Sequence, residues 1–407
     1  MQMNYRSFNL RYLLLSVAVA LCGAQALAAD DLKEDFNPVE TGVTSLSIAP
    51  DARGASMGDL GAATEPDANS QFWNPSKYAF AYSRGGVSIS YTPWLRKLVN
   101  DIFLANLSGY WKFGSEENQA VSASLRYFSL GEVTSSAPGD VATTTINPYE
   151  MAFDIGYSRK LSEKFSMGIV FRYIYSDLGY NTSDVGDNST GASAFSADIS
   201  GYFTTYPIIG QNECQFSWGF DISNIGTKVS YDGGNQPAFL PTNLRLGMNR
   251  TVPFNEYNKF SVAVDANKLL VPTFPKQDTE NGETESDYTD RVQKEYYDVS
   301  PIAGIFKSFH DAPNGFKEEM QEIQWSVGCE YTYNDRFMLR GGYHHESANK
   351  GNRKYFTVGA GFHMSVFTVD AAYVFSTSQT NPLDQTMRFT LGFDLDGMKD
   401  LFGRRRR

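Results

Sequence analysis

The sequence has 407 residues, a formal net charge of −11 at pH 7 and 14% aromatic residues, with a mean hydropathy of −0.36. This polar average excludes a bundle of membrane-spanning helices, because each such helix needs an apolar run of about 20 residues. The acidic balance argues against nucleic acid as a partner. Many aromatic residues within a polar average instead favour an outer-membrane β-barrel, which has one apolar face and one wet face.

The only long apolar run of the chain lies near its start, over Tyr12–Leu21. Arg6 and Arg11 precede this run, and small residues follow it. This order of a basic, an apolar and a small-residue region predicts a cleaved signal peptide over residues 1–28. Residues 29–46 are then expected to form an N-terminal periplasmic segment.

Residues 47–85 show neither strand alternation nor an apolar face of helical period. The segment is rich in glycine and alanine, which allow close backbone packing, and it contains an Asn-Pro turn. A compact small-residue segment before a long series of strands predicts a plug, or hatch, inside a barrel. The predicted plug residues are Gly54, Gly58, Gly61, Asn69, Trp73, Asn74 and Pro75.

Fourteen stretches between residues 86 and 396 alternate apolar and polar residues and are bounded by turn residues. This pattern predicts an all-β fold, a transmembrane antiparallel β-barrel of about 14 strands. The predicted strands are Gly86–Thr92, Ile102–Phe113, Gln119–Leu130, Tyr149–Arg159, Phe165–Ser176, Ser193–Thr205, Glu213–Ile222, Thr242–Arg250, Lys259–Asn267, Ile323–Tyr333, Phe337–His345, Lys354–His363, Phe367–Phe375 and Gln385–Leu395.

Short and long connections alternate along these strands. Outer-membrane barrels have short periplasmic turns and long outer loops. The alternation therefore predicts that both termini are periplasmic, including a C-terminal tail over residues 397–407. The largest predicted outer loop spans residues 268–322.

The register opposite the apolar face carries a charged residue on most strands, and these charges are expected to face the lumen. Two interpretations remain open for them: a solvated pore lining, or ion pairs across the wall and with the plug. The charged positions are Arg126, Asp154, Arg172, Asp198, Asp221, Arg245, Asp265, Glu330, Arg340, Asp370 and Arg388.

The loop over residues 268–322 is much longer than most loops and is expected to be functional or disordered. Its first part, Lys276–Asp298, is highly charged and is predicted to be mobile. Its second part predicts two short amphipathic pieces that present Phe306, Phe309 and Phe316. Two interpretations stay open, a lid over the barrel mouth and a docking surface for another protein.

Motifs for metal binding or phosphate binding are absent from the sequence. His344, His345 and Ser347 leave a lipid hydrolase as a distant alternative, but the two histidines fall in opposite registers. We therefore predict a protein that is not an enzyme and has no cofactor or metal. Cys214 and Cys329 both fall in the apolar register, which favours two free thiols over a disulfide.

Several stretches resemble the PorV family, the outer-membrane barrel of the Bacteroidetes type IX secretion system. They are IAPDARGASMGDLGAATEPDANSQFWNPSKYAF, DAPNGFKEEMQEIQWSVGCEYTY, LRGGYHHE and KGNRKYFTVGAGFHM. The resemblance covers nearly the whole chain after the signal peptide. It also implies membership of the wider superfamily of FadL long-chain fatty-acid transporters, which are barrels of fourteen strands with an N-terminal hatch.

The resemblance implies an integral protein of the bacterial outer membrane that binds the C-terminal signal domain of secreted cargo at the translocon barrel. It also implies delivery of that cargo to a sortase-containing attachment complex at the cell surface, with lipids and lipopolysaccharide around the barrel. The alternative is a FadL-like channel for fatty acids. Asn74-Pro75-Ser76 departs from the Asn-Pro-Ala motif of FadL hatches, and Arg404–Arg407 has no counterpart.

Overall fold

The computed structural model describes residues 36–94, 101–114, 116–136, 143–178, 191–231, 234, 236–278, 282–376 and 386–397. The predicted signal peptide and Arg404–Arg407 lie outside these residues.

Fourteen antiparallel strands form one closed barrel, in which every strand pairs with its neighbours in the chain and the last pairs with the first. Closure leaves no free sheet edge, so all backbone groups of the wall can pair between strands. The strands are β1 Gly85–Pro93, β2 Ile102–Phe113, β3 Gln119–Leu130, β4 Tyr149–Lys160, β5 Phe165–Asp177, β6 Ala192–Thr205, β7 Gln215–Gly226, β8 Asn243–Pro253, β9 Asn258–Leu269, β10 Gln324–Tyr333, β11 Phe337–His345, β12 Lys354–Met364, β13 Phe367–Ser376 and β14 Met387–Asp394.

This architecture confirms the predicted barrel of fourteen strands, and β2, β3 and β11 agree with the prediction at both bounds. The largest difference is in β7, which was predicted to end at Ile222 and ends at Gly226. A bulge between Ile222 and Ile225 explains the difference, because it interrupts the alternation. Within it, Asn224 adopts a positive φ of 60° and turns its side chain inward.

The outward face of the barrel is apolar, and aromatic rings form rows near both ends of the strands. Contacts between neighbouring strands connect the rings in each row. Such rows are typical of the aromatic girdles at the two membrane interfaces. One row contains Tyr91, Phe103, Tyr127, Tyr149 and Tyr175, and the other contains Phe165, Phe203 and Trp218.

The two ends of the barrel differ in their connections. One end, called here the short-turn end, carries the brief connections, and the only small hairpin described there pairs Ile208–Ile209 with Asn212–Glu213. The other end, the long-loop end, carries the long connections and a hairpin that pairs Val133–Ser136 with Thr143–Ile146.

The helices lie in the segment before β1 and in the longest loop. They are α1 Ala52–Ser56, α2 Ser70–Trp73, α3 Glu285–Val292, α4 Pro301–Lys307 and α5 Phe316–Gln321, with 3₁₀ turns at Thr44–Ser47 and Pro75–Phe80 and a π turn at Gln293–Tyr297. Among the described residues, no helix is long and apolar enough to cross a membrane.

Helix α3 corrects the prediction that Lys276–Asp298 is a mobile charged segment. The hydroxyl of Thr284 accepts a hydrogen bond from Asp287 N and caps the helix. Arg291 pairs with Glu283, with Nε and Oε1 2.7 Å apart. Local charge pairing therefore gives regular structure to a segment whose composition alone suggested none.

Residues 36–84 run from the long-loop end of the barrel to its short-turn end. Asn37 N donates to Asn349 O at 2.8 Å, and Gly42 N donates to Phe239 O at 2.8 Å, both at the long-loop end. Residues 44–80, called here the inner segment, then lie inside the barrel, and Gly85 begins β1 at the short-turn end.

Residues 36–43 contact the long loops, so they lie at the end of the barrel opposite to Gly85. The prediction that residues 29–46 form a periplasmic segment therefore depends on which end of the barrel faces the periplasm, and it stays a prediction. The position of residues 36–43 was not predictable, because these residues carry no strand or helix pattern and the contacts of Asn37 and Gly42 are distant in the chain.

The alternating wall predicts the effect of a charge on its outer face. Phe171 of β5 points outward and is 58% exposed. We expect Phe171→Arg to lower the free energy of unfolding by about 2–4 kcal/mol if it lies near the bilayer midplane, measured by urea titration in lipid vesicles. Phe171→Leu, which keeps an apolar side chain, should cost less than about 1.5 kcal/mol. Equal losses for both variants would contradict a lipid-facing Phe171.

Candidate functional site

Backbone amides of the inner segment are bonded by polar side chains of the barrel wall. Asp265 Oδ2 on β9 accepts hydrogen bonds from Gly61 N at 2.7 Å and Ala62 N at 2.9 Å. Gly58 N donates to Thr357 Oγ1 of β12 at 2.9 Å, and Ala52 N donates to Thr390 Oγ1 of β14 at 2.9 Å. The wall thereby satisfies backbone groups that enclosure removes from water.

Trp73 explains why two of the predicted plug positions are glycine. A Cβ added to Gly54 would lie 2.3 Å from the Trp73 ring, and one added to Gly61 would lie 2.4 Å from it. Trp73 Nε1 donates to Asp51 Oδ1 at 2.6 Å. The indole ring is therefore the packing centre of the inner segment.

Gly58 meets the wall itself. Its φ is +84°, and an added Cβ would lie 2.7 Å from the backbone oxygen of Tyr343 on β11. Both the conformation and the space restrict this position to glycine. The inner segment and the wall therefore touch here backbone to backbone.

The Asn-Pro turn holds the end of the inner segment against β6. Asn74 Nδ2 donates to Ala62 O at 2.9 Å and to Gly201 O at 3.0 Å, while Asn74 Oδ1 accepts from Ser76 N at 3.1 Å. Pro75 then begins the second 3₁₀ turn. Asn69, near the middle of the segment, accepts from Ser108 Oγ of β2 at 3.2 Å.

The eleven charged positions predicted to face the lumen are all buried. On neighbouring strands, Arg172 lies between Asp154, 2.7 Å away, and Asp198, 2.8 Å away. Arg340 likewise lies between Glu330 at 2.6 Å and Asp370 at 2.5 Å. Burial and close pairing do not fit the interpretation of a solvated pore lining.

Other lumen charges connect the wall to the inner segment. Arg53 pairs with Glu330 at 3.3 Å, and Arg388 pairs with Asp59 at 2.6 Å. Arg245 Nη1 donates to the backbone oxygen of Phe72 at 3.0 Å and lies 3.7 Å from Asp221. These contacts favour the second interpretation, in which the charges anchor the inner segment.

A buried ion cluster, called here the loop clamp, holds α5 at the long-loop end. It consists of Lys268, Lys350, Glu318, Glu319 and Glu322. Lys350 Nζ lies 2.5 Å from Glu318 and 3.0 Å from Glu322. Lys268 Nζ lies 3.0 Å from Glu319 and also pairs with Glu322. Side chains of β9, the longest loop and the β11–β12 connection meet in this cluster.

The loop clamp also contacts the N-terminal part of the chain and shifts nearby acidities. Asn37 Nδ2 donates to Glu318 Oε1 at 3.1 Å. Burial alone would raise the pKa of Glu318, but the hydrogen bonds from Lys350, Asn314 N and Asn37 together outweigh burial and lower that pKa. Burial, with Glu322 and Glu319 nearby, raises the pKa of Asp311 to about 6. The acidic residues of α5 were the sequence signal of this cluster. The sequence analysis described this part of the loop only as amphipathic and made no use of them.

The three aromatic residues predicted for partner binding lie on the same loop as the clamp glutamates, and the Phe309 ring centroid lies 5.9 Å from Lys268 Nζ of the clamp. Phe306 is 72% exposed, Phe316 is 79% exposed and Phe309 is 39% exposed. Ile302 and Met320 are exposed beside them in the chain. These five residues are called here the docking face.

His344 and His345, which the sequence named for a hydrolase site, lie on opposite sides of the wall, as their registers predicted. His344 is buried, stacks on Tyr355 with ring centroids 4.8 Å apart, and lies 3.0 Å from Ser326 Oγ. His345 lies beside Tyr343 on the outward side. Across the described ranges, no group of three His, Cys, Asp or Glu side chains could hold a metal ion. Cys214 and Cys329 are both free.

A family model described as "Type IX secretion system protein PorV" matches residues 31–276, more than half of the chain. The chain belongs to the PorV family. This PorV-family chain is therefore an integral outer-membrane protein of the type IX secretion machinery, as the resemblance predicted. No match was found among curated protein sequences.

The barrel is also similar to solved structures. The toluene transporter TodX of Pseudomonas putida has 12% identity and a TM-score of 0.48, with 88% of this chain and 99% of that chain covered. The toluene transporter TbuX of Ralstonia pickettii has 12% identity and a TM-score of 0.43, with coverages of 85% and 96%. Similarities this low transfer no activity to this PorV-family chain.

The backbone contact at Gly58 predicts that a large side chain would displace the inner segment. We expect Gly58→Trp to raise ion conductance in planar bilayers above that of the unchanged protein. Gly282→Trp is the matched control, because Gly282 has a similar φ of +74° but open space around it. Unchanged conductance of a folded Gly58→Trp barrel would contradict a lumen closed by this segment.

The loop clamp predicts that removing one of its cations destabilises α5. Lys350→Met leaves Glu318 and Glu322 buried without this cation, which should destabilise the α5 region by about 3–5 kcal/mol and speed protease cleavage there. Lys259→Met is the control, because its 2.8 Å pair with Asp335 is exposed and should contribute at most about 1 kcal/mol. Equal protease resistance of both variants would show that the clamp does not hold α5.

Proposed function

We propose that this chain binds the C-terminal signal domain of secreted cargo at the translocon and delivers it to the cell-surface attachment complex. The docking face, an exposed apolar surface on a loop held by buried ion pairs, is the observation that carries the proposal. In this account the long-loop end faces outward, because outer loops of such barrels are the long ones. The inner segment acts as a fixed plug.

The filled lumen supports binding outside the barrel. A folded domain cannot enter an interior in which backbone amides of the inner segment are bonded to side chains of β9, β12 and β14. The outer loops are the remaining surface for a protein partner. The loop that carries the docking face is also large enough to contribute much of an ordinary interface of about 800 Å² per partner.

The chemistry of the docking face supports a protein partner. Exposed clusters of large apolar side chains on soluble surfaces mark interaction sites, and aromatic residues carry much of the energy of many interfaces. The loop clamp fixes α5 while leaving Phe316 and Met320 outside. A rigid support lowers the conformational cost of binding.

The alternative function, a channel for hydrophobic small molecules, needs a continuous apolar path. The lumen instead contains the buried ion pairs of Arg172 and Arg340 and polar side chains on every side of the inner segment. An apolar solute that passed these groups could not form hydrogen bonds or ion pairs with them, and leaving buried polar groups without partners is unfavourable. The lumen therefore favours the secretion function.

Replacing Phe306, Phe309 and Phe316 together by Ser tests the proposal. We expect the variant barrel to reach the outer membrane in normal amount but to lose co-purification with cargo and translocon. Secreted proteins should then accumulate in the periplasm. The measurement is mass spectrometry of proteins captured from gently solubilised outer membrane.

The matched control replaces exposed apolar residues at the opposite end, Tyr82, Ile208 and Phe254, by Ser. This control should leave capture and secretion unchanged, because those residues lie at the short-turn end. Normal capture by the Phe306, Phe309 and Phe316 variant, combined with loss of uptake of a hydrophobic solute, would favour the channel function instead.

A further inference from the structure

A partly enclosed cavity of about 90 Å³ lies between the inner segment and the long-loop end. One water needs roughly 10–15 Å³ of such space, so several waters or one small ligand would fit. Its lining is mostly amide, hydroxyl and guanidinium groups, with Phe72 and Trp73 contributed by the inner segment. The cavity is polar and too confined for a folded partner.

Arg126 of β3 is the distinctive group of this cavity. It is only 6% exposed, and it stands in one inward row with Asn106 of β2 and Ala152 of β4, which also line the cavity. Its Nη1 donates to Ser45 O at 2.6 Å, and its guanidinium lies 4.8 Å from the centroid of Phe72. Among the described residues, no carboxylate forms an ion pair with it.

The carboxylates near Arg126 are engaged elsewhere. Asp154, which lines the cavity, is held by Arg172 at 2.7 Å. Glu150 accepts a hydrogen bond from Ser45 N at 3.1 Å. Asp59, the other acidic lining residue, is held by Arg388 at 2.6 Å. The bond from Ser45 N leaves the charge of Glu150 in place, so Glu150 and Asp154 attract Arg126 from a distance. Within the described residues no carboxylate contacts the Arg126 guanidinium directly, and a buried cation without a contacting anion is costly.

Two further observations indicate that this cavity can bind a polar ligand. Arg245 of β8 lies over the same Phe72 ring, with 5.1 Å to its centroid, so a second guanidinium borders the cavity. Gln71, which lines the cavity, is 1% exposed, and neither atom of its amide has a hydrogen-bond partner. Buried polar groups of native proteins are normally satisfied by protein, water or ligand.

We propose that this cavity binds one small oxyanion, a carboxylate or a phosphate group, with Arg126 as its principal partner. A guanidinium presents paired N–H donors that match the two oxygens of such a group. Asn106, directly opposite Arg126 on β2, supplies a neutral amide donor beside it. The oxyanion would be a free ion or the terminal carboxylate of a polypeptide bound at the long-loop end. The second source rests on the proposed function.

Calorimetric titration of the full purified protein in detergent tests the site. The probes are inorganic phosphate, acetate, and a short peptide with either a free or an amidated C-terminus. We expect at least one oxyanion probe to bind, and Arg126→Gln to weaken it by about tenfold or more, as for a lost hydrogen bond to a charged group. Arg250→Gln, an exposed arginine on β8, should bind as the unchanged protein does.

Asn106→Leu keeps all charges and gives a second test if Arg126→Gln does not fold. This substitution should also weaken oxyanion binding, because it removes the Asn106 amide beside Arg126. Preference for the free over the amidated peptide would identify a terminal carboxylate, and binding of phosphate or acetate alone would identify a free ion. Absence of binding by every probe, or equal binding by the Arg126→Gln protein, would overturn the proposal.

The result of the oxyanion titration can be distinguished from the result of the cargo-capture test of the proposed function. The variant with Ser at 306, 309 and 316 leaves the cavity intact, so it should still bind the oxyanion probe with unchanged affinity. Loss of cargo capture with retained oxyanion binding would support both proposals. Normal capture by that variant with retained oxyanion binding would overturn only the docking proposal.

Discussion

The structure depends on one constraint, the need to satisfy the backbone of a segment enclosed by a closed sheet. The strands use most of their N–H and C=O groups in the barrel ladders, so inward side chains are the main partners for the backbone amides of the inner segment. Asp265, Thr357 and Thr390 provide such partners from three different strands. An apolar lumen could not do this, because each unpaired buried amide would be destabilising.

The same constraint explains the amino-acid composition of the inner segment and of the barrel wall. The inner segment has glycine where the Trp73 ring or the wall comes within van der Waals distance, as at Gly54 and Gly58. The wall has charged residues where they can pair with one another or with the segment. Arg340 illustrates this, since its guanidinium joins carboxylates from the strands on either side.

In the proposed function, the filled lumen leaves the outer loops as the surface for a protein partner. Buried ion pairs hold α5 in the loop clamp, as they hold the inner segment in the lumen. The side of α5 that faces away from the clamp is apolar and exposed. The helix thus has a charged face that attaches it to β9 and to the β11–β12 connection, and an apolar face that is free. Such a two-faced helix suits a docking surface that keeps its shape without a partner.

The barrel was predictable because its two signals are local: alternation with a period of two, and alternation of loop lengths. Strand β7 departed from prediction where the bulge at Asn224 breaks that period. The inward direction of Arg172 followed from register, but its pairing with Asp198 could be seen only in the folded wall. The path of residues 36–43 and the pairings of the loop clamp were not predictable, since they join residues such as Asn37 and Glu318 that are 281 positions apart in the chain.

The account rests most directly on the orientation of the barrel, which cysteine labelling in intact cells measures. A membrane-impermeant maleimide would be applied to Phe36→Cys, Ser286→Cys and Glu256→Cys variants, with the unsubstituted chain as background. We predict labelling at positions 36 and 286 in intact cells, and at position 256 only after the outer membrane is permeabilised. Labelling of 256 but not of 36 and 286 in intact cells would contradict an outward-facing docking surface.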